Sequence, residues 1–287
     1  MEHFVQIPVD FNKIEDKARL NMIYTYALIR NQIKGKAIGK IYKASITIDS
    51  LSKEVGVSKQ TIINYIKKLV DNKLILSIDK VQGTGEHKYN SYNLPYLSTY
   101  GIVLPTLLYA QDLSSQDKGL LILLKLNCQF GTNVLEYNSV TSLAKQLRVS
   151  KNTLGGKLKE YNSKGYLGLH KGWLNLAQTY FPLYLKEEPL NLAYKYIYDF
   201  CIKKDCIPPY KDFNDKTETD KSLDMIFNTV GYIDKDGIAH LEQDALETLM
   251  EQRLKNLPDK ITFEYLKVAL LGMKPNKIDK PNNNIIL

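Results

Sequence analysis

The apolar positions between Ser45 and Leu76 follow helical spacing in two short runs separated by a glycine. Leu51 and Val55 stand four apart, and Ile62, Ile66 and Leu69 form a second stripe. Thr47, Asp49 and Ser50 offer oxygens to cap the first helix, and Ser58 is placed to cap the second. Gly56 sits between them, where a left-handed turn costs glycine nothing. The polar positions of the second helix, Lys59, Gln60, Thr61, Asn64, Tyr65 and Lys68, are read as its outward face. Residues 74–80 and 88–94 then alternate like strands around the turn-rich stretch VQGTGEH. Two helices, a tight turn and a trailing hairpin are the order of a winged helix-turn-helix.

The pattern recurs. From Val140 the chain matches the first copy without a gap at an offset of 92 residues. Leu51 corresponds to Leu143, Val55 to Leu147, Ser58 to Ser150, Lys59 to Lys151, Thr61 to Thr153 and Ile66 to Leu158. Each copy is preceded by a further apolar helix, Asp16 to Gln32 in the first and Asp117 to Cys128 in the second, the latter capped by Ser114 and Ser115. Each also opens on an extended apolar segment ending in proline, residues 5–8 and 102–105. The first copy carries extra residues in 34–45, rich in glycine and lysine and read as a flexible basic surface loop.

The copies differ where it matters for mechanism. Gly155 and Gly156 replace Ile63 and Asn64, and two glycines inside a helix cost about 2 kcal/mol relative to alanine. Glu160 stands where Lys68 stands in the first copy, and the second hairpin is short, turning at Lys171-Gly172. The first copy is therefore expected to be the main reader. The second contributes backbone contacts through Lys151, Asn152, Thr153 and Lys157, or else forms a protein interface.

After residue 184 the character changes. A tyrosine-rich helix spans residues 189–204 and is broken by Pro208-Pro209; further helices are expected near 223–230, 240–256 and 262–273. The expected fold is mainly α with small β-hairpin wings, an α+β chain. It divides into winged-helix domains at 1–97 and 98–184, a helical C-terminal domain at 185–274 and a disordered tail at 275–287.

Charge sharpens this picture. The net charge of +8 is partitioned as +6 for residues 1–100, +5 for 101–184 and −3 for the remainder. The excess belongs to the two repeats, which points to a polyanion as their partner. No apolar run of about 18 residues exists to span a membrane, no secretory signal is visible, and three unevenly placed cysteines suit a reducing cytoplasm. Chemistry is not signalled. GKAIGK at 35–40 lacks the spacing of a phosphate loop. Asp234, Asp236 and Gly237 begin like a calcium loop, but Ala245 stands where its glutamate belongs. Cys201 and Cys206 have no matching His or Cys pair for zinc. The expectation is a non-enzyme with no metal and no cofactor.

The stretch from Phe4 to Leu94, with its apolar-Pro opening, long first helix, TIDSLSKEVGVSKQTIINYIKKLVDNKLI and Gly-containing wing, resembles the N-terminal winged helix of replication initiators and replisome organisers of low-GC bacterial plasmids and phages. The doubling is similar to plasmid initiators with two tandem winged helices. That resemblance implies sequence-specific binding of double-stranded DNA at replication origins. A repressor of a mobile element binding an operator, and a winged-helix adaptor that binds proteins, are the alternatives. The expected base readers are Gln60, Thr61, Asn64 and Tyr65, with Lys59, Lys68, Lys80 and Lys88 along the backbone and Ser58 counted in the same DNA-binding face. The C-terminal region is expected to serve a homodimer or a host replication protein.

Overall fold

A computed structural model of the chain describes residues 4–81, 89–129, 131–183, 189–210, 216–233, 235 and 239–272. The chain divides into two units: residues 1–129 with 133–183, and residues 130–132 with 184–287.

The first unit opens with strand β1 (Val5–Pro8) and a 3-10 turn, Val9–Lys13, followed by helix α1 (Arg19–Arg30). Strand β2 (Ile41–Ile46) leads into helices α2 (Ile48–Val55) and α3 (Lys59–Asp71), then strands β3 (Ser77–Val81) and β4 (Tyr89–Pro95). The same order returns as β5 (Tyr100–Val103), α4 (Pro105–Leu108), α5 (Ser115–Asn127), β6 (Val134–Glu136), α6 (Val140–Gln146), α7 (Lys151–Ser163), β7 (Leu167–His170) and β8 (Trp173–Leu176). Each repeat closes a three-stranded antiparallel sheet with its hairpin in the centre and at one edge, in the orders β2-β4-β3 and β6-β8-β7.

The strand β2 corrects the reading of residues 34–45 as a flexible loop. Six of those residues' neighbours and members, Ile41 to Ile46, pair with Pro95 to Asn90 in register. Alternation explains it: Ala44 faces the core beside Tyr92, while Lys43 and Ser45 face water. The helix expected from Asp16 starts later, at Arg19, because Asp16 lies before it, its carboxylate accepting from the Ala18 N–H at 2.7 Å.

The two repeats interlock. β1 runs antiparallel to β5, with Val5 opposite Val103 and Gln6 opposite Ile102. Since residues 5–8 correspond to 102–105, each opening strand meets its counterpart in the reversed direction, as a local two-fold would place them. The equivalent helices α1 and α5 also pack together. At their crossing Gly119 is so close to α1 that a Cβ there would lie 2.1 Å from the Leu20 carbonyl oxygen. One continuous apolar core results, holding Tyr24, Tyr26 and Leu28 of α1 with Leu121, Leu123 and Leu124 of α5. Polar groups cross the same seam. The Tyr24 hydroxyl donates to the Leu108 carbonyl at 2.8 Å, and the buried Lys118 ammonium donates to the Tyr24 hydroxyl at 3.3 Å. Arg19 donates to the Leu147 carbonyl, and Arg148 pairs with Glu15 at 2.7 Å.

The second unit contains helices α8 (Pro189–Lys203) and α9 (Lys216–Val230), a hairpin of β9 (Gly231–Ile233) and β10 (Ala239–Leu241), and helices α10 (Gln243–Arg253) and α11 (Phe263–Leu271). Its core includes Tyr194, Ile197, Tyr198, Leu223, Ile226, Leu246, Met250, Leu266 and Leu270. The hairpin replaces the first turn of the helix expected over 240–256; His240 pairs with Tyr232 and stacks on it at 5.0 Å. The tail expected to be disordered, 275–287, lies outside the described residues, as do Asp234, Asp236 and Gly237 of the calcium-like sequence. No helix among the described residues is long and apolar enough to cross a membrane.

Candidate nucleic-acid interface

Local chemistry fixes α2 against α3. The Thr47 hydroxyl accepts from the Ser50 N–H at 3.0 Å and starts α2. Gly56 ends it at φ +74, with its N–H donating to the Ser52 carbonyl, a conformation a side chain would strain. The Ser58 hydroxyl then accepts from the Thr61 N–H at 3.1 Å and lies 2.9 Å from the Thr61 hydroxyl, which starts α3 two residues after the turn. Leu51 and Val55 of α2, and Ile62, Ile66 and Leu69 of α3, are all buried, so one stripe from each helix is spent on the core. α3 is thereby a short rod with one face held and the other free.

Tyr65, expected on the outward face, is instead buried at 8 % exposure. The helical wheel accounts for this: Tyr65 stands three residues after Ile62 and four before Leu69, on the flank of the core stripe. Its hydroxyl accepts from the Asn21 amide at 3.5 Å, and it supports the rod from behind. The side chains opposite the core stripe are Gln60, Asn64, Lys67 and Lys68, with Ile63 at the flank three residues before Ile66, and all five are exposed. Lys67, which a wheel centred opposite Ile62, Ile66 and Leu69 includes, was missed in favour of its neighbour Lys68, and Ile63 was missed because choosing residues for polarity passes over an aliphatic side chain.

The lysines fall into distinct settings. Lys59 pairs with Asp49 at 2.8 Å, both well exposed, an ion pair weak enough in water to give way to a phosphate. Lys68 reaches Asp16 at 2.5 Å, and this hydrogen bond, with that from the Ala18 N–H, holds the Asp16 carboxyl below its usual value. Lys80 is exposed on β3 of the hairpin. Lys88 lies outside the described residues. Gln60 donates from its amide to the Asn64 amide oxygen at 3.3 Å, so the two amides form one polar surface in mid-helix.

The corresponding helix α7 presents less. Lys151, Asn152 and Thr153 are exposed in its first turn. Lys157, expected to reach a phosphate, is turned inward: it pairs with Asp117 and Glu160, each at 2.9 Å. Asp117 is the junction of this repeat. Burial pushes its carboxyl up, but hydrogen bonds from Ser114, Tyr161 and Lys157 outweigh that and leave it lowered overall. Glu160 also binds Lys164 at 2.9 Å, so the negative charge is already matched within the helix. A Cβ on Gly156 would meet nothing within 4 Å, and one on Gly155 only Val140 at 3.7 Å.

Among the described residues no three His, Cys, Asp or Glu side chains gather as metal ligands would. A family model described as an HTH domain matches residues 30–87, from the last residue of α1 through β2, α2 and α3 into the hairpin. No curated protein and no solved structure matches the chain. Residues 30–87 are a helix-turn-helix domain of the DNA-binding kind.

Proposed function

We propose that this chain binds double-stranded DNA in a sequence-specific way, with α3 in the major groove and the β3–β4 hairpin along the adjacent backbone. The observation that carries the reading is the free face of α3. It is a rigid, capped rod whose exposed Gln60 and Asn64 amides stand among lysines, on the repeat that holds a net positive charge. Amides can pair bidentately with adenine in the major groove, at about 1–3 kcal/mol of discrimination for a good pair. Lys59, Lys67 and Lys80 neutralise phosphate and set the register.

Both repeats act as winged helices in this reading, and they are not equivalent. The reversed pairing of β1 with β5 supports two helix-turn-helix elements that approach the duplex in opposite directions. The first reads bases. The second holds backbone through Lys151, Asn152 and Thr153, because Lys157 and Glu160 are committed to partners within the repeat. The protein acts in the cytoplasm, without catalysis, as a replication initiator or organiser of a plasmid or phage, and its acidic C-terminal unit docks a second copy or a host replication protein. The support for the replication role is the sequence resemblance of residues 4–94.

Selection of bound fragments from the source genome by the full chain tests this. Enrichment of repeats beside an origin is the expected result. A single operator overlapping a promoter would make it a regulator instead. Absence of any enriched duplex at low salt would reject DNA binding and leave the adaptor.

A further inference from the structure

An aliphatic side chain lies among the amides and lysines of the free face. Ile63 is 46 % exposed, three residues after Gln60 and next to Asn64, at the edge of the exposed face of α3, three residues before the buried Ile66. Single exposed apolar residues are common on protein surfaces, so exposure alone decides nothing. Position decides more. Gln60 and Asn64 form one hydrogen-bonded amide pair, and an amide of this kind is the side chain suited to adenine N6 and N7. Every adenine brings a thymine on the other strand, whose 5-methyl group is the one apolar feature of the major-groove edge. A branched aliphatic side chain one helical step from the amides is suited to that methyl group.

We infer that Ile63 is a specificity-determining residue that contacts a thymine 5-methyl group, next to the adenine read by the Gln60–Asn64 pair. The inference rests on the proposed docking of α3 in the major groove and names the base step that this face selects. The site therefore contains at least one A·T pair under α3. The second repeat has Gly155 at the corresponding position and makes no such contact.

The test uses the full chain and a duplex recovered from a randomised pool, in which each thymine is replaced in turn by deoxyuridine. This removes the methyl group and leaves base pairing intact. With the parent protein, one or two positions under α3 are expected to weaken binding about four-fold, the worth of burying one methyl-sized group. In Ile63→Ala those positions become indifferent to the exchange, whereas Ile63→Val keeps most of the sensitivity. Because Ile63 is exposed and alanine favours helix, the variant is expected to fold, and an unchanged melting temperature checks this. Parent protein indifferent to every deoxyuridine, or a sensitivity that persists in Ile63→Ala, overturns the inference while DNA binding stands. Failure to recover any duplex overturns both.

Discussion

At the scale of single residues, the interface is decided by which side chains the core leaves free. Gln60 and Asn64 are free, and replacing either by alanine should weaken binding to the selected site by about 1–3 kcal/mol with melting unchanged, measured by titration at fixed salt. Tyr65 is not free, and Tyr65→Phe should leave base preference as it was. The misreading of Tyr65 has a plain cause: a phenol is polar at its tip and apolar in its body, so polarity alone could not place it, and only the angle about the helix does. Asp117 gives a prediction of a different kind. Its carboxyl is lowered in the folded chain, so its stabilising bonds are complete above the unfolded value near pH 4 and are lost as pH falls through the folded value. Asp117→Asn should cost about 1–3 kcal/mol at neutral pH, read by urea unfolding, and should remove part of the acid sensitivity below about pH 4.

At the scale of elements, the caps and the turn of the helix-turn-helix could be read from Thr47, Gly56 and Ser58, because capping is local chemistry between residues three or four apart. The hairpin strands could be read for the same reason. Strand β2 could not: its pairing partner β4 lies some fifty residues on, and a Gly/Lys-rich approach disguised an edge strand whose alternate residues face water. The β9–β10 hairpin was hidden in a similar way by a short polar stretch that also suits a helix start. The α1–α5 crossing left one trace, Gly119 in an otherwise leucine-rich helix, uninterpretable without knowing what approaches it. Gly119→Val should therefore destabilise the first unit by about 1–3 kcal/mol or more, seen as a lower urea midpoint, because the obstructing atoms are backbone of α1 and cannot swing aside. In α7 the space is open, and Gly155→Ala with Gly156→Ala should raise stability by up to about 1 kcal/mol per site. If that pair also impairs DNA binding, a close approach of backbone to α7 is indicated.

At the scale of the molecule, the charge partition and the interlocked repeats describe one basic unit and one acidic unit. Affinity should fall linearly with salt on logarithmic axes, and Lys67→Ala or Lys80→Ala should each reduce the slope by about 1. Lys157→Ala should leave the slope unchanged, since its ammonium is held by Asp117 and Glu160. The most direct measurement is the affinity of the double variant Gln60→Ala/Asn64→Ala for the selected duplex and for random duplex, at one salt concentration and with folding verified by melting. Loss of about ten-fold or more for the selected duplex, with random duplex unaffected, is the predicted result. A variant that binds the selected duplex as tightly as the parent, with the same preference over random sequence, would contradict the assignment of α3 as the reading helix.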